Sequence, residues 1–131
     1  MFVENIMKTD IKTVDFNDTI KDACEKFKNN WIGCLIVIEN ENIVGIVTER
    51  DIIQRTICAD KDAKTSKINE IMTKEVISID KNETVDQAIE KLKGHNIKKL
   101  PVTSNDELVG IITLTDITFA RHNIKNLIED D

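Results

Sequence analysis

Asn42-Ile-Val-Gly-Ile-Val-Thr-Glu-Arg-Asp-Ile52 is an apolar strand, broken by one glycine, that runs directly into a helix start. The pattern returns as Glu107-Leu-Val-Gly-Ile-Ile-Thr-Leu-Thr-Asp-Ile117. Gly45, Thr48 and Asp51 become Gly110, Thr113 and Asp116, a constant offset of 65 residues (110 − 45). Outward at that offset, Ile6-Met7 meets Ile71-Met72, Thr19 meets Thr84, Ala23 meets Ala88, Leu35 meets Leu100 and Val37 meets Val102. A register held this long marks two copies of one supersecondary unit. Residues 1–58 form the first copy, 59–67 a polar, charged linker expected to be mobile, and 68–131 the second. Two copies imply a pseudo-twofold protein.

Each copy predicts the same order of elements. After an apolar lead-in at residues 3–7 comes a short strand at 11–14. Ile20, Ala23, Cys24 and Phe27 then fall at i, i+3, i+4 and i+7, one buried helical stripe, with Thr19 and Asp22 spaced as a capping box. Cys34-Leu-Ile-Val-Ile38 and Ile43-Val-Gly-Ile-Val47 are too short for helices and rich in β-branched residues, which predicts an antiparallel hairpin buried on both faces. A second helix follows from Thr48 to about Cys58. The second copy has its lead-in at 68–72, a strand at 76–79, and a helix from Thr84 with Val85, Ala88, Ile89 and Leu92 inside and Gly94 at its end. Pro101 removes a ladder donor, which predicts an edge strand or a bulge there. The last helix runs from Thr113 through Ala120, Ile124, Leu127 and Ile128, leaving an acidic tail at 129–131. Trp31, where a helix hands over to a strand, is expected in a core or an interface. The fold class is α+β: two β-α-β-β-α repeats whose sheets, covered by helices on one side, are expected to pack face to face and share one core, because each alone is small.

Composition narrows the function. The chain has 131 residues, 40% hydrophobic and 32% charged, the balance of an ordinary globular protein. No run approaches the ~18 apolar residues that a membrane span needs. The start, Met1-Phe-Val-Glu-Asn5, lacks a basic region followed by an apolar one, which argues against a secretion signal. Cys24, Cys34 and Cys58 are odd in number, lie in or beside apolar segments and form no Cys-x-x-Cys, so they read as reduced core residues in a cytoplasmic protein. With 18 Lys and Arg against 24 Asp and Glu the net charge is −6, which opposes general nucleic-acid binding. His95 and His122 stand apart with no Cys, His or acid cluster at metal spacing, so no metal site is expected. No phosphate-binding loop, nucleophile elbow or other catalytic constellation is present.

The chemistry therefore centres on Thr48-x-x-Asp51 and Thr113-x-x-Asp116. Thr followed three residues later by an acid or amide is a helix-capping device, and the chain uses it at four helix starts: Thr19, Thr48, Thr84 and Thr113. Thr48 and Thr113 differ in following an apolar strand with an internal glycine. At such a place a carboxylate can also accept two charge-assisted hydrogen bonds from a vicinal diol such as ribose, each worth about 1.5–3 kcal/mol. Capping and binding do not exclude each other.

The doubled pattern of apolar strand, Gly, two apolar residues, Thr, two variable residues, Asp and Ile resembles the cystathionine β-synthase (CBS) domain. Residues 3–120 resemble one tandem CBS pair, with Glu4-Asn-Ile-Met7, Glu70-Ile-Met72 and Leu100-Pro-Val102 as supporting detail. The resemblance implies two clefts between the repeats that bind adenosine-containing ligands such as AMP, ADP, ATP or S-adenosylmethionine. It gives the ribose to Thr48 with Asp51 in one cleft and to Thr113 with Asp116 in the other. It gives the base or phosphates to Ile32 and Gly33 in the first repeat and to Ile97, Lys98 and Lys99 in the second, and it directs Arg50 toward the second cleft. Gly33, Cys34 and Thr115, the matching positions around the first cleft, carry no cationic side chain. A phosphorylated nucleotide is therefore expected at Asp116, whereas the Asp51 cleft is expected to be weaker, empty or fitted to a less charged adenosyl group.

The resulting expectation is a non-enzymatic regulatory sensor with no resident cofactor. It would form a homodimer through helix faces led by Ile52, Ile53, Ile117 and Ala120, and answer to an unidentified effector protein. The same faces would equally pack the repeats together. A ligand-free homodimerisation or assembly module is the alternative, in which both Thr-x-x-Asp turns are only caps. Nucleic-acid binding through Lys98, Lys99 and the linker residues Lys61, Lys64 and Lys67 is a third reading, against the acidic total.

Overall fold

The computed structural model describes the main chain of residues 1–30 and 32–129 and the side chains of residues 1–30 and 32–123. The expectations on Trp31, on the side chains of Ile124, Leu127 and Ile128, and on the end of the acidic tail lie outside the described residues. The main chain contains β1 (Thr13–Asp15), α1 (Ile20–Asn30), β2 (Cys34–Glu39), β3 (Asn42–Thr48), α2 (Glu49–Ile52), β4 (Ile79–Asp80), α3 (Val85–Gly94), β5 (Lys99–Ser104), β6 (Glu107–Thr113) and α4 (Leu114–Glu129). Short 3-10 turns at Val3–Asn5 and Ile68–Glu70 open the two copies. This is the expected β-α-β-β-α order, twice.

The compact units do not follow the sequence copies. One unit comprises residues 1–10 with 77–131, and the other residues 11–76. Each lead-in thus packs with the body of the other copy. In the 11–76 unit, Ile68, Ile71 and Met72 join Val14, Ile20, Ala23, Leu35, Val37 and Val47 in one buried cluster. In the other unit Val3 joins Ile79, Val85, Ala88, Leu92, Leu100, Val102, Ile112 and Ile117. These buried apolar side chains form two clusters, one in each unit, and each body closes over a lead-in borrowed from the other copy. The linker bonds to the start of α1: Ile20 N donates to Ser66 O (3.0 Å) and Lys21 N to Ala63 O (2.8 Å), satisfying two free amides there.

Both sheets are built alike. β1 runs parallel to β2 and β2 antiparallel to β3, with β2 central; β4, β5 and β6 repeat this arrangement. Each hairpin turns on two residues in the left-handed region, Asn40 and Glu41 (φ 50° and 70°) and Asn105 and Asp106 (φ 51° and 65°), whose twist suits a two-residue loop. Pro101 lies in the middle strand rather than an edge, one residue before the register shift at Val102/Thr103. Its counterpart Ile36 donates its N–H to Lys12 O at 3.3 Å, a bond that proline cannot make. Accordingly β4 has two residues where β1 has three. Ile111, opposite Pro101, loses nothing, because its N–H and C=O both bond to Lys8 (2.9 and 2.8 Å).

The glycines of the organising stretch serve close approach. A Cβ on Gly45 would stand 2.5 Å from Met72 Sδ and 3.1 Å from Thr73 O; one on Gly110 would stand 2.6 Å from Met7 Sδ and 3.0 Å from Lys8 O. Each glycine therefore lets a lead-in cross β3 or β6 and bond to its edge, at Ile46 with Thr73 and at Ile111 with Lys8. Gly94 is different: it ends α3 without a left-handed φ, and the left-handed residue beyond the helix is Asn96 (φ 52°). The second helices of the two copies also differ. α4 is regular for 16 residues, whereas the four-residue α2 passes into a π-helical turn at Ile53–Ile57.

Candidate functional site

All four Thr-x-x-(Asp or Gln) caps form. Thr19 N donates to Asp22 Oδ2 (3.0 Å) and Asp22 N to Thr19 Oγ1 (3.1 Å); Thr84 and Gln87 exchange bonds of 2.8 and 3.1 Å. Thr48 N donates to Asp51 Oδ2 (2.9 Å) and Asp51 N to Thr48 Oγ1 (3.2 Å), and the Thr113–Asp116 bonds measure 3.2 and 3.0 Å. The amide and hydroxyl of Thr19 hold the Asp22 carboxyl below the usual carboxylate range. Asp22 and Gln87 are exposed. Asp51 and Asp116, in contrast, are recessed, with side chains 15% and 11% exposed.

These two carboxylates use only Oδ2 for the cap. Oδ1 of each faces a cation, and a different one in each copy. Lys8 Nζ lies 3.4 Å from Asp116 Oδ1, and the main chain of Lys8 is bonded to Ile111. Arg55 Nε lies 3.7 Å from Asp51 Oδ1, one helical turn along, and its Nη1 also donates to Ile71 O (3.1 Å) and Met72 O (3.4 Å). At the repeat offset Lys8 corresponds to Thr73 and Arg55 to Ala120, so the copies place their cations at unrelated positions. The sequence reasoning missed both. The i, i+4 spacing of Asp51 and Arg55 was a legible signal; Lys8 and Asp116 are separated by most of the chain. The Asp51 side therefore has a cationic neighbour that the bare comparison of Gly33, Cys34 and Thr115 did not supply.

The expected base and phosphate positions lie beside the caps of their own units. Leu114 N donates to Lys98 O (2.9 Å), and Lys99 pairs with Thr113 across β5 and β6, which sets residues 97–99 against the start of α4. Lys98 is exposed, Lys99 half-buried, and Ile97 packs against its unit's core. In the other unit Cys34 pairs with Thr48, and Ile32 and Gly33 line a cavity of about 550 Å³ together with Phe27, Lys28 and Glu49. Arg50 is exposed on α2, next to Asp51.

Two other expectations change. Ile117 is 2% exposed inside its own core and Ile52 packs against the other, because both turn inward from their helix starts. Among the described residues the large exposed apolar side chains are Ile53 and Ile57 in one unit and Met1, Phe2, Leu114 and Phe119 in the other. Cys58 is exposed rather than in a core; Cys24 and Cys34 are half-buried, and burial pushes the Cys24 thiol up. Among the described residues no three His, Cys, Asp or Glu side chains gather as metal ligands, and no helix is long and apolar enough to cross a membrane.

The sequence profile of the CBS domain matches residues 3–57 and again 68–123. The chain belongs to the CBS-domain family. It is a CBS pair with the α+β fold of such pairs. A relative, the uncharacterized protein YlbB of Bacillus subtilis, is 32% identical over 120 residues, 90% of this chain and 80% of the relative. A putative signal-transduction protein with CBS domains from Burkholderia ambifaria superposes with a TM-score of 0.84 at 28% identity, covering 92% of this chain and 93% of that one. The CBS domain pair of protein MJ0100, solved in complex with 5-methylthioadenosine and S-adenosyl-L-methionine, superposes with a TM-score of 0.83 at 29% identity, covering 94% and 97%.

Proposed function

We propose that this CBS pair is a non-catalytic regulatory module that binds an adenosine-containing ligand, AMP, ADP, ATP or S-adenosylmethionine, at Thr48–Asp51 and at Thr113–Asp116. The observation that carries the reading is the division of labour within each recessed carboxylate. Oδ2 caps the helix while Oδ1 faces a partly exposed cation, so a ribose diol can be accepted without undoing the cap. The adenosyl ligands of the MJ0100 pair support the ligand class. Ile32, Gly33 and Ile97 would line the base, and Lys98 and Lys99 would meet a phosphate at the Asp116 site. The bound ligand shifts the protein's conformational equilibrium by the difference in its affinity for the two states and by nothing more.

The module acts in the cytoplasm, as a homodimer formed through exposed apolar side chains such as Ile53, Ile57, Leu114 and Phe119, and passes its state to an effector protein. Thermal unfolding with AMP, ATP and S-adenosylmethionine in turn tests the reading. A true ligand at 100 times its dissociation constant stabilises the protein by about 2.7 kcal/mol. No shift with any of the three contradicts it and leaves the aspartates as caps.

A further inference from the structure

Resting on that reading of the Asp116 site, we propose that Lys8 makes it selective for a nucleoside 5′-phosphate, by leaving Asp116 for the phosphate when ribose hydroxyls take the carboxylate. The root of Lys8 is fixed. Its N–H and C=O bond to Ile111 (2.8 and 2.9 Å), and Gly110 leaves room for its carbonyl to come close. Its ammonium is not fixed in the same way: the side chain is 71% exposed and touches Asp116 Oδ1 at 3.4 Å, at the end of a flexible four-carbon stem.

The ammonium therefore stands on the oxygen that the cap leaves over, and a diol must compete with it. An uncharged nucleoside displaces the cation and offers it no new partner. A 5′-phosphate joined to the same ribose offers a stronger one, so the displaced charge is satisfied within the site. The other copy lacks this device. Thr73 stands at the position of Lys8, and the cation on Asp51 is Arg55, which also donates to Ile71 O and Met72 O at 3.1 and 3.4 Å and so is less free to leave. Phosphate selection is a property of the Asp116 site.

Calorimetric titration of AMP and of adenosine tests this in an Asp51→Asn background, which retains an acceptor for the cap while weakening the other site. Lys8→Thr is the variant, since threonine already fills the matching position in the first copy. The expected result is AMP affinity about tenfold lower and adenosine affinity unchanged or raised, because the competitor for Oδ1 is gone. Equal loss for both ligands assigns Lys8 a merely structural role, and no change for AMP removes it from the phosphate; either overturns the inference while the site reading stands. If the Asp51→Asn protein binds neither AMP nor adenosine, the reading of the Asp116 site fails and the inference falls with it.

Discussion

Replacing each of three glycines by alanine should move stability in opposite directions. At Gly45 the new Cβ would stand 2.5 Å from Met72 Sδ, 2.9 Å from its Cγ and 3.1 Å from Thr73 O. Met72 is 7% exposed, so its side chain can swing only by disturbing the cluster that holds Ile68 and Ile71. Thr73 O accepts from Ile46 N (3.0 Å) and Thr73 N donates to Ile46 O (2.9 Å). Pushing the lead-in back endangers two bonds of about 0.5–1.5 kcal/mol each, and crowding the methionine costs about 1–3 kcal/mol more. Against this, alanine is easier to order than glycine by roughly 0.5–1 kcal/mol. The net expectation is a loss of about 1–5 kcal/mol for Gly45→Ala. Gly110→Ala, facing Met7 and Lys8 O at 2.6 and 3.0 Å, should lose a similar amount. Gly94→Ala meets nothing within 4 Å and should gain about 0.5–1 kcal/mol. Urea unfolding followed by circular dichroism gives all three, provided the slope stays constant. Gly45→Ala and Gly110→Ala proteins as stable as wild type would refute the argument that these glycines exist to admit the lead-ins.

Two further outcomes follow from local chemistry. Asp22 has a folded-state pKa depressed chiefly by the Thr19 amide, so its contribution is present above the ordinary carboxylate range and is lost as pH falls through the depressed value. The gap in urea midpoint between wild type and Asp22→Asn should be open at pH 7 and close toward pH 3; a gap independent of pH removes the carboxylate from the cap. Exposed Cys58 should be alkylated by iodoacetamide well before Cys24, whose thiol burial pushes up, and peptide mass mapping would read the order. Faster labelling of Cys24 contradicts its assigned setting.

Most of the architecture was legible because it is written twice. The helical stripes, the hairpin strands and the four capping pairs act locally and formed where the residues placed them, whereas the first strand of each copy formed at Thr13–Asp15 and Ile79–Asp80 rather than at 11–14 and 76–79. What escaped depends on contacts between distant segments. Nothing near Val3 or Ile68 says that each lead-in packs with the other copy's body, since burial of an isoleucine is satisfied by any apolar neighbour. Ile117 and Ile52 looked like a free face because helical periodicity locates a stripe without saying what covers it. Pro101 was legible as a missing donor, yet a central strand tolerates it here because its N atom faces the end of a shortened β4. At the candidate site, the caps of Asp51 and Asp116 formed as their spacing placed them, whereas the Lys8–Asp116 ion pair required the fold to bring distant segments together.

In the proposed function Asp51 and Asp116 each hold a ribose while capping a helix. Calorimetric titration of AMP into wild type, Asp51→Asn, Asp116→Asn and the double variant tests it most directly, because asparagine keeps the capping acceptor and removes the charge offered to the diol. Each single variant should bind at least tenfold more weakly at its altered site, and the double variant should show no measurable binding. Undiminished affinity in the double variant would contradict it.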